Sequence, residues 1–195
     1  ADYVAAMSSK YRVRAKKVFT LCEANHVERK ELDAAEIEKY SDRLFYLYNR
    51  VMDKAEFRLA TLTPDYFRLQ KEQLPDNYKL YAYFRDNNLI GFISAFHIGK
   101  RIEVHYTGMD HDLCRPIHLY QHMMYDMVEY AIEHKVEKLH FGRTAPEIKS
   151  TIGAVPAKMY GYLKHFNPLF NFFIAKPYTA YLKPKEYTIR TPFKD

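Results

Sequence analysis

The stretch from residue 78 to residue 108, YKLYAYFRDNNLIGFISAFHIGKRIEVHYTG, decides the fold. Aromatic and branched residues fill 78–85 and 89–98, as strands prefer. Asp86-Asn87-Asn88 separates the two runs with tight-turn residues, and Gly99-Lys100 turns the chain again into 101–108. Two short turns between three such runs predict an antiparallel meander.

Working downstream, 116–134 reads as a long helix with Asp112 near its start. Leu119, Met123, Met127, Tyr130 and Ala131 form its buried stripe. Residues 136–141 follow as a strand. A helical crossover of that length makes 136–141 parallel to 101–108, and a helix N-terminus then points into the opening where the two strands part. Beyond it, 142–156 reads as a loop with a short helical turn. Residues 157–164 and 167–175 read as two strands or a hairpin. The tail from Lys176, with Pro177, Pro184 and Pro192, reads as an irregular wrap.

Working upstream, 63–74 reads as a helix capped by Thr63, opened by Pro64 and stopped by Pro75. Residues 34–54 form an amphipathic helix behind an Asp33 cap, with Ile37, Tyr40, Leu44, Leu47, Tyr48 and Val51 at helical spacing. Residues 26–32 read as a short strand. Residues 2–24 lack Gly and Pro and read as one helix. Lys10, Arg14 and Lys17 share a face of it, either solvated or gripping phosphate or an acidic partner. The expected architecture is α/β (α+β): a mixed central sheet with helices on both faces. It divides into a basic N-terminal helix (1–25), a domain (26–175) and a tail (176–195). A helix without lead-in at residue 1 predicts a longer parent chain.

With 195 residues, one domain is expected, long enough to form a core without disulfide or metal. No apolar run reaches membrane-span length, so no membrane span is expected. Cys22 and Cys114 follow no metal spacing and read as reduced thiols, which predicts a cytoplasmic protein. The balance of 30 basic against 24 acidic residues, a net charge of +6, suits an anionic ligand without arguing for nucleic acid. His118 and His122 stand at i, i+4 with no third metal ligand evident, and no metal site is expected. P-loop, GxSxG and dinucleotide fingerprints are all missing.

This element order, over 26–175, resembles the GCN5-related N-acetyltransferase (GNAT) fold. In finer detail the chain resembles the branch of the Fem-type (FemAB-like) peptidoglycan aminoacyl transferases. The features that carry this are the basic helix with Ser9-Lys10-Tyr11-Arg12-Val13-Arg14, the Phe141-Gly142-Arg143 motif, and Glu147, Lys149, Gly153 and Ala154 after it. The resemblance implies acyl or aminoacyl transfer onto an amine, with acyl-CoA or an aminoacyl-tRNA as donor. Possible partners are an anionic small molecule, tRNA or an upstream domain of the same chain. One departure stands out. Where acetyl-CoA-binding GNATs carry a glycine-rich pyrophosphate loop, residues 109–118 have no glycine and carry Asp110 and Asp112, which predicts weak acetyl-CoA binding.

Candidate site residues follow. Gly108 ends the third meander strand, where a backbone can open to a ligand or simply stop a strand. Arg115 falls at the expected helix N-terminus, a natural anion site. Arg143, Glu147, Lys149 and Ser150 cluster just after a strand end, where ligand groups gather in open sheets. Arg143 is expected to point into the cleft with Glu147 or Lys149 in reach; the structural alternative is that Glu147 and Lys149 form ion pairs with their neighbours. Glu103 and His105 share a strand face, and either can serve as the base that amine attack needs. Tyr160, with Tyr162 on the same face of a later strand, is the leaving-group acid that the GNAT resemblance implies. Transfer would proceed by direct attack without a covalent enzyme intermediate. The alternative is a non-catalytic module of this fold that binds a peptide, a glycan precursor or RNA.

Overall fold

Asp86 and Asn87 both take left-handed backbone angles, φ 51° and 61°, and join β2 (Tyr78–Arg85) to β3 (Asn88–Ile98). Such a turn needs two positive φ values, which Asp and Asn tolerate better than most residues. Gly99, at φ 58°, turns β3 into β4 (Arg101–Met109). The meander expected from sequence is therefore present in the computed structural model, which describes residues 2–54, 61–160, 162–181 and 187–194. A short β1 (Glu28–Glu31) pairs antiparallel with β2, and β5 (Lys138–His140) pairs parallel with β4. The sheet order is β1-β2-β3-β4-β5, mixed as expected.

Alternation along the strands sorts two cores. Tyr78, Leu80, Ala82 and Phe92 face one side, where α3 (Ala34–Lys39), α4 (Ser41–Met52) and α5 (Tyr66–Gln73) supply Ile37, Leu44, Leu47, Tyr48 and Phe67. Tyr81, Tyr83, Ile90, Ile93 and Ile102 face the other side. There α7 (Leu119–Glu133) supplies Leu119, Met123, Met127 and Ala131. Behind α7 lies α2 (Ser9–Ala24), whose Ala15 and Val18 pack with Met124 and Tyr125. The helices thus lie on both faces, and α2 adds an outer layer.

Several boundaries differ from the sequence reading. The helix expected over 2–24 breaks into α1 (Asp2–Ala6) and α2, because Met7 bridges to Phe193 and the Ser8 N–H donates to the Pro192 carbonyl at 2.8 Å. The helix expected over 34–54 breaks at Tyr40, whose φ of −103° ends α3. Asp33 does cap α3, in a reciprocal box with Glu36. The helix expected from Thr63 starts instead at Tyr66. The crossover helix starts at Leu119, not Pro116: a short α6 (His111–Cys114), capped by Asp110, comes first, and His118 at φ 55° separates the two. A short α8 (Pro146–Ser150) is the helical turn expected after β5.

The strands expected over 157–164 and 167–175 are not there. Residues 157–160 and 162–164 have no regular structure, and α9 (Pro168–Tyr181) runs across the boundary drawn at 175. Its start is a local helix signal that the aromatic composition masked. Asn167 accepts the Leu169 N–H at 2.9 Å, and Pro168 occupies the first turn. Of the tail, 187–194 is irregular and packs back on the N-terminal segment, with the Phe193 ring edge-on to Tyr3.

Both thiols are buried and free. Cys22 donates to the Ile117 carbonyl and Cys114 to that of Ile90, and burial pushes both up to about 12. Among the described residues, no helix is long and apolar enough to cross a membrane, and no group of three or more His, Cys, Asp or Glu is placed to hold a metal ion.

Candidate active site

Ser94 is the one polar residue in the run Leu89–Phe96 of β3, and it is fully buried. Its Oγ accepts the Tyr106 N–H at 3.0 Å and donates to the Tyr106 carbonyl at 3.1 Å. This plugs a bulge: Ala95 pairs Val104 and Ile93 pairs Thr107, so His105 and Tyr106 stand against the single residue Ser94. A bulge bends its strand. On the far edge, β4 pairs β5 only over Arg101–Glu103, against Lys138–His140. Beyond Glu103, the β5-side backbone of β4 has no partner strand among the described residues.

A cavity of about 40 Å³ occupies this parting of strands. Ile93, Val104 and Thr107 floor it, Tyr120 and Met124 of α7 wall one side, and Phe141, Thr144 and Lys149 wall the other. His105 also lines it, yet its imidazole lies with the aromatic residues of the α4–α5 face. The ring stands edge-on to Phe96, with centroids 5.0 Å apart, and Nε2 is 2.7 Å from the Tyr66 hydroxyl. The bulge thus gives one residue access to both sides of the sheet edge. Burial among these rings pulls the His105 pKa below its ordinary value, so the imidazole is neutral near pH 7.

The sequence-predicted residues divide. Lys149 is buried, with 6% of its surface exposed, and lines the cavity. Its ammonium donates to the Gly142 carbonyl at 3.5 Å, and desolvation pulls its pKa down to about 8. The Glu147 carboxylate faces outward and accepts the Thr188 N–H at 3.2 Å. Ser150 is buried but turned to the tail, donating to the Glu147 carbonyl and accepting the Arg190 N–H. Arg143 is exposed and outside the cavity lining. Gly142, at φ 73°, swings the chain outward just before it, so the expected place of Arg143 in the cleft belongs to Lys149. Glu103 lies at the end of the β4–β5 pairing, 3.9 Å from His140 Nε2 and half-exposed.

Three other expectations change. Gly108 is a packing position: a Cβ there would lie 2.1 Å from the Phe92 ring and 2.8 Å from the Leu47 backbone, so α4 closes the space that a ligand would need. Arg115 caps the end of α6 and its N–H donates to the His111 carbonyl at 3.1 Å, because the crossover helix starts later than expected. Tyr160 and Tyr162 are on no strand and are 78% and 96% exposed, away from the cavity. His122 of the i, i+4 pair faces inward, 3.8 Å from buried Asp126.

The loop after β4 also differs from its bare charge. Arg50 of α4 meets Asp112 at 2.7 Å and Asp110 at 3.7 Å, and Arg43 reaches Asp110 at 3.8 Å. The aspartates that repel an anion on paper are thereby offset by two guanidiniums. Burial, then the charges of Lys17 and Arg14, lower the His118 pKa, and α2 packs along α7 through Ala15, Val18, Met124 and Tyr125. Thr107, Tyr120, Thr144 and Tyr66 were not singled out by sequence. Only Ser94 carried a signal, as a lone hydroxyl in an apolar strand.

Residues 7–150 match the family model described as "Acetyltransferase (GNAT) domain". The chain belongs to this family. A search of the curated proteins gives no significant match. Similar solved structures include a "predicted acetyltransferase with acetyl-CoA" from Clostridium acetobutylicum, at TM-score 0.55 and 12% identity over 72% of this chain and 99% of that one. The ribosomal-protein-alanine N-acetyltransferase of Brucella melitensis biovar Abortus 2308 gives TM-score 0.52 and 16% identity, over 72% and 99%. An aminoglycoside N-acetyltransferase, AAC(6')-Iy in complex with CoA, gives 0.52 and 9%, over 73% and 96%. At these identities the likeness is one of fold.

Proposed function

We propose that this chain is an N-acyltransferase that moves an acyl group from acyl-CoA directly onto an amine. The observation that carries the reading is the parting of β4 from β5 at a plugged bulge, with a cavity at the parting and a neutral imidazole beside it. The donor's acyl end would enter between the strands. Its phosphates would lie at the N-terminus of α7, where free backbone donors favour an anion. Arg14 and Lys17 stand in there for the missing glycine loop.

The acceptor amine would approach from the α4–α5 side. In the tautomer whose Nε2–H donates to the Tyr66 oxygen, His105 Nδ1 keeps a lone pair for the amine proton. The amine attacks the thioester carbonyl, and the unpaired backbone of β4 stabilises the oxyanion. Collapse expels the CoA thiolate, which takes a proton from Tyr120. Burial raises that hydroxyl to about 12, so it is protonated when needed. Glu103 is the alternative base, through its contact with His140.

A second reading keeps the chemistry and changes the donor. The basic face of α2 extends from the α7 N-terminus along Arg14 to Lys10, and this suits the longer anion of an aminoacyl-tRNA, as in the Fem-type branch. Calorimetry with acetyl-CoA and with aminoacyl-tRNA, followed by thiol release in the presence of primary amines, tests both. Acyl-CoA binding with amine-dependent thiol release supports the first. Binding of aminoacyl-tRNA alone supports the second, and binding of neither overturns acyl transfer.

A further inference from the structure

Lys149 poses a problem that the transfer chemistry does not solve. A buried ammonium normally has a carboxylate partner or a full set of acceptors, because burying it bare is costly. Here the carboxylate two residues before it faces outward to Thr188, burial lowers its pKa, and among the described residues no carboxylate forms an ion pair with it. Among the described residues, its one acceptor is a carbonyl at the outer limit of hydrogen-bond distance, 3.5 Å. Around the ammonium, the cavity wall carries hydroxyl residues, Thr107, Thr144 and Tyr120, and otherwise apolar side chains. All of the charge in this lining that survives at pH 7 is positive. The space, about 40 Å³, holds the end of a ligand rather than a whole one.

We propose that this cavity is a carboxylate-binding pocket, with Lys149 as counter-charge, so that a substrate of the transfer carries a carboxylate on its acyl group or near its amine. The inference rests on the acyl-transfer reading and names the substrate class for it. A carboxylate fits the volume, accepts from both ammonium and hydroxyls, and gives the buried charge the partner it lacks. A neutral acetyl group would leave Lys149 bare.

The test compares acetyl-CoA with succinyl-CoA by calorimetry, on the natural protein and on Lys149→Met. Methionine is close to lysine in volume and uncharged, and removing an unpaired buried charge should raise the melting temperature, which shows that the variant is folded. The natural protein should bind succinyl-CoA about tenfold more tightly, the worth of one charge-assisted hydrogen bond. In Lys149→Met that preference should fall below about twofold. In parallel, the NMR signal of the Lys149 ε-methylene group is followed on adding succinate or neutral succinamide. A shift with succinate alone supports the pocket even if no CoA binds, in which case the acyl-CoA reading falls and the pocket stands. Equal affinity for the two donors with a succinate-dependent shift assigns the carboxylate to the acceptor. Equal affinity with no shift overturns the pocket and leaves the transfer reading intact. Loss of both donors in equal measure in a folded Lys149→Met variant also overturns it, since Lys149 then serves a part common to both.

Discussion

His105 owes its chemistry to its neighbours rather than to its residue type. Tyr66, Phe96 and Tyr106 surround the ring and strip water from the charged form. As base, it works only when neutral. The rate should therefore rise with pH through a value below the usual 6.5 and level off near pH 7. His105→Gln should lower kcat by about 100-fold or more and remove that limb of the profile. The same shift has a sign for stability. The unfolded chain binds the proton more readily, so stability is complete above about pH 6.5 and declines as pH falls toward the depressed value. Gly108 gives the opposite lesson, a residue whose importance lies in what it lacks. Gly108→Ala must push a methyl group against Phe92 and the α4 backbone, and should cost about 1–3 kcal/mol in denaturant unfolding.

At the scale of the element, the bulge in β4 is what makes a site from a sheet. Without it, β4 would stay in register with β3 and had no cause to bend from β5. One hydroxyl satisfies both the donor and the acceptor that the irregularity orphans on Tyr106. Ser94→Ala would bury both without partners. A loss of about 1–3 kcal/mol in thermal or denaturant unfolding is expected, together with weaker donor binding. Ser94→Thr, which keeps the hydroxyl, should recover more of the binding than of the stability. Unchanged stability in Ser94→Ala would show that the bulge is held by packing alone.

Over the whole molecule, the proposed anion-binding end of the site is assembled from segments far apart in sequence. Arg14 and Lys17 come from α2, the backbone donors from α7, and the guanidiniums that offset Asp110 and Asp112 from α4. If α2 replaces the glycine loop, Arg14→Gln combined with Lys17→Gln should weaken acyl-CoA binding by about tenfold at low salt. The effect should shrink as ionic strength rises, because both side chains are solvent-exposed. The melting temperature should hardly move. A salt-independent loss would place the contribution in packing instead of charge.

The sequence by itself determined the meander, the crossover and the mixed sheet, because these rest on local signals. Asp86-Asn87 and Gly99 turn the chain in place, and the period of apolar residues sets which face is buried. Helix starts marked by side-chain caps were legible for the same reason at Asp33. Asn167-Pro168 carries that signal too, ahead of α9. Only the tertiary structure decided the site. Whether residue 143 or residue 149 enters the cleft depends on the left-handed turn at Gly142. That Lys149 is buried depends on packing across elements, with Val104, Tyr120 and Met124 lining the same cavity. Likewise the break at Met7 is imposed by Phe193, from the other end of the chain. Turn chemistry and periodicity act between near neighbours along the chain, whereas desolvation and pairing act through space, and the charge of a buried lysine is set by the second kind.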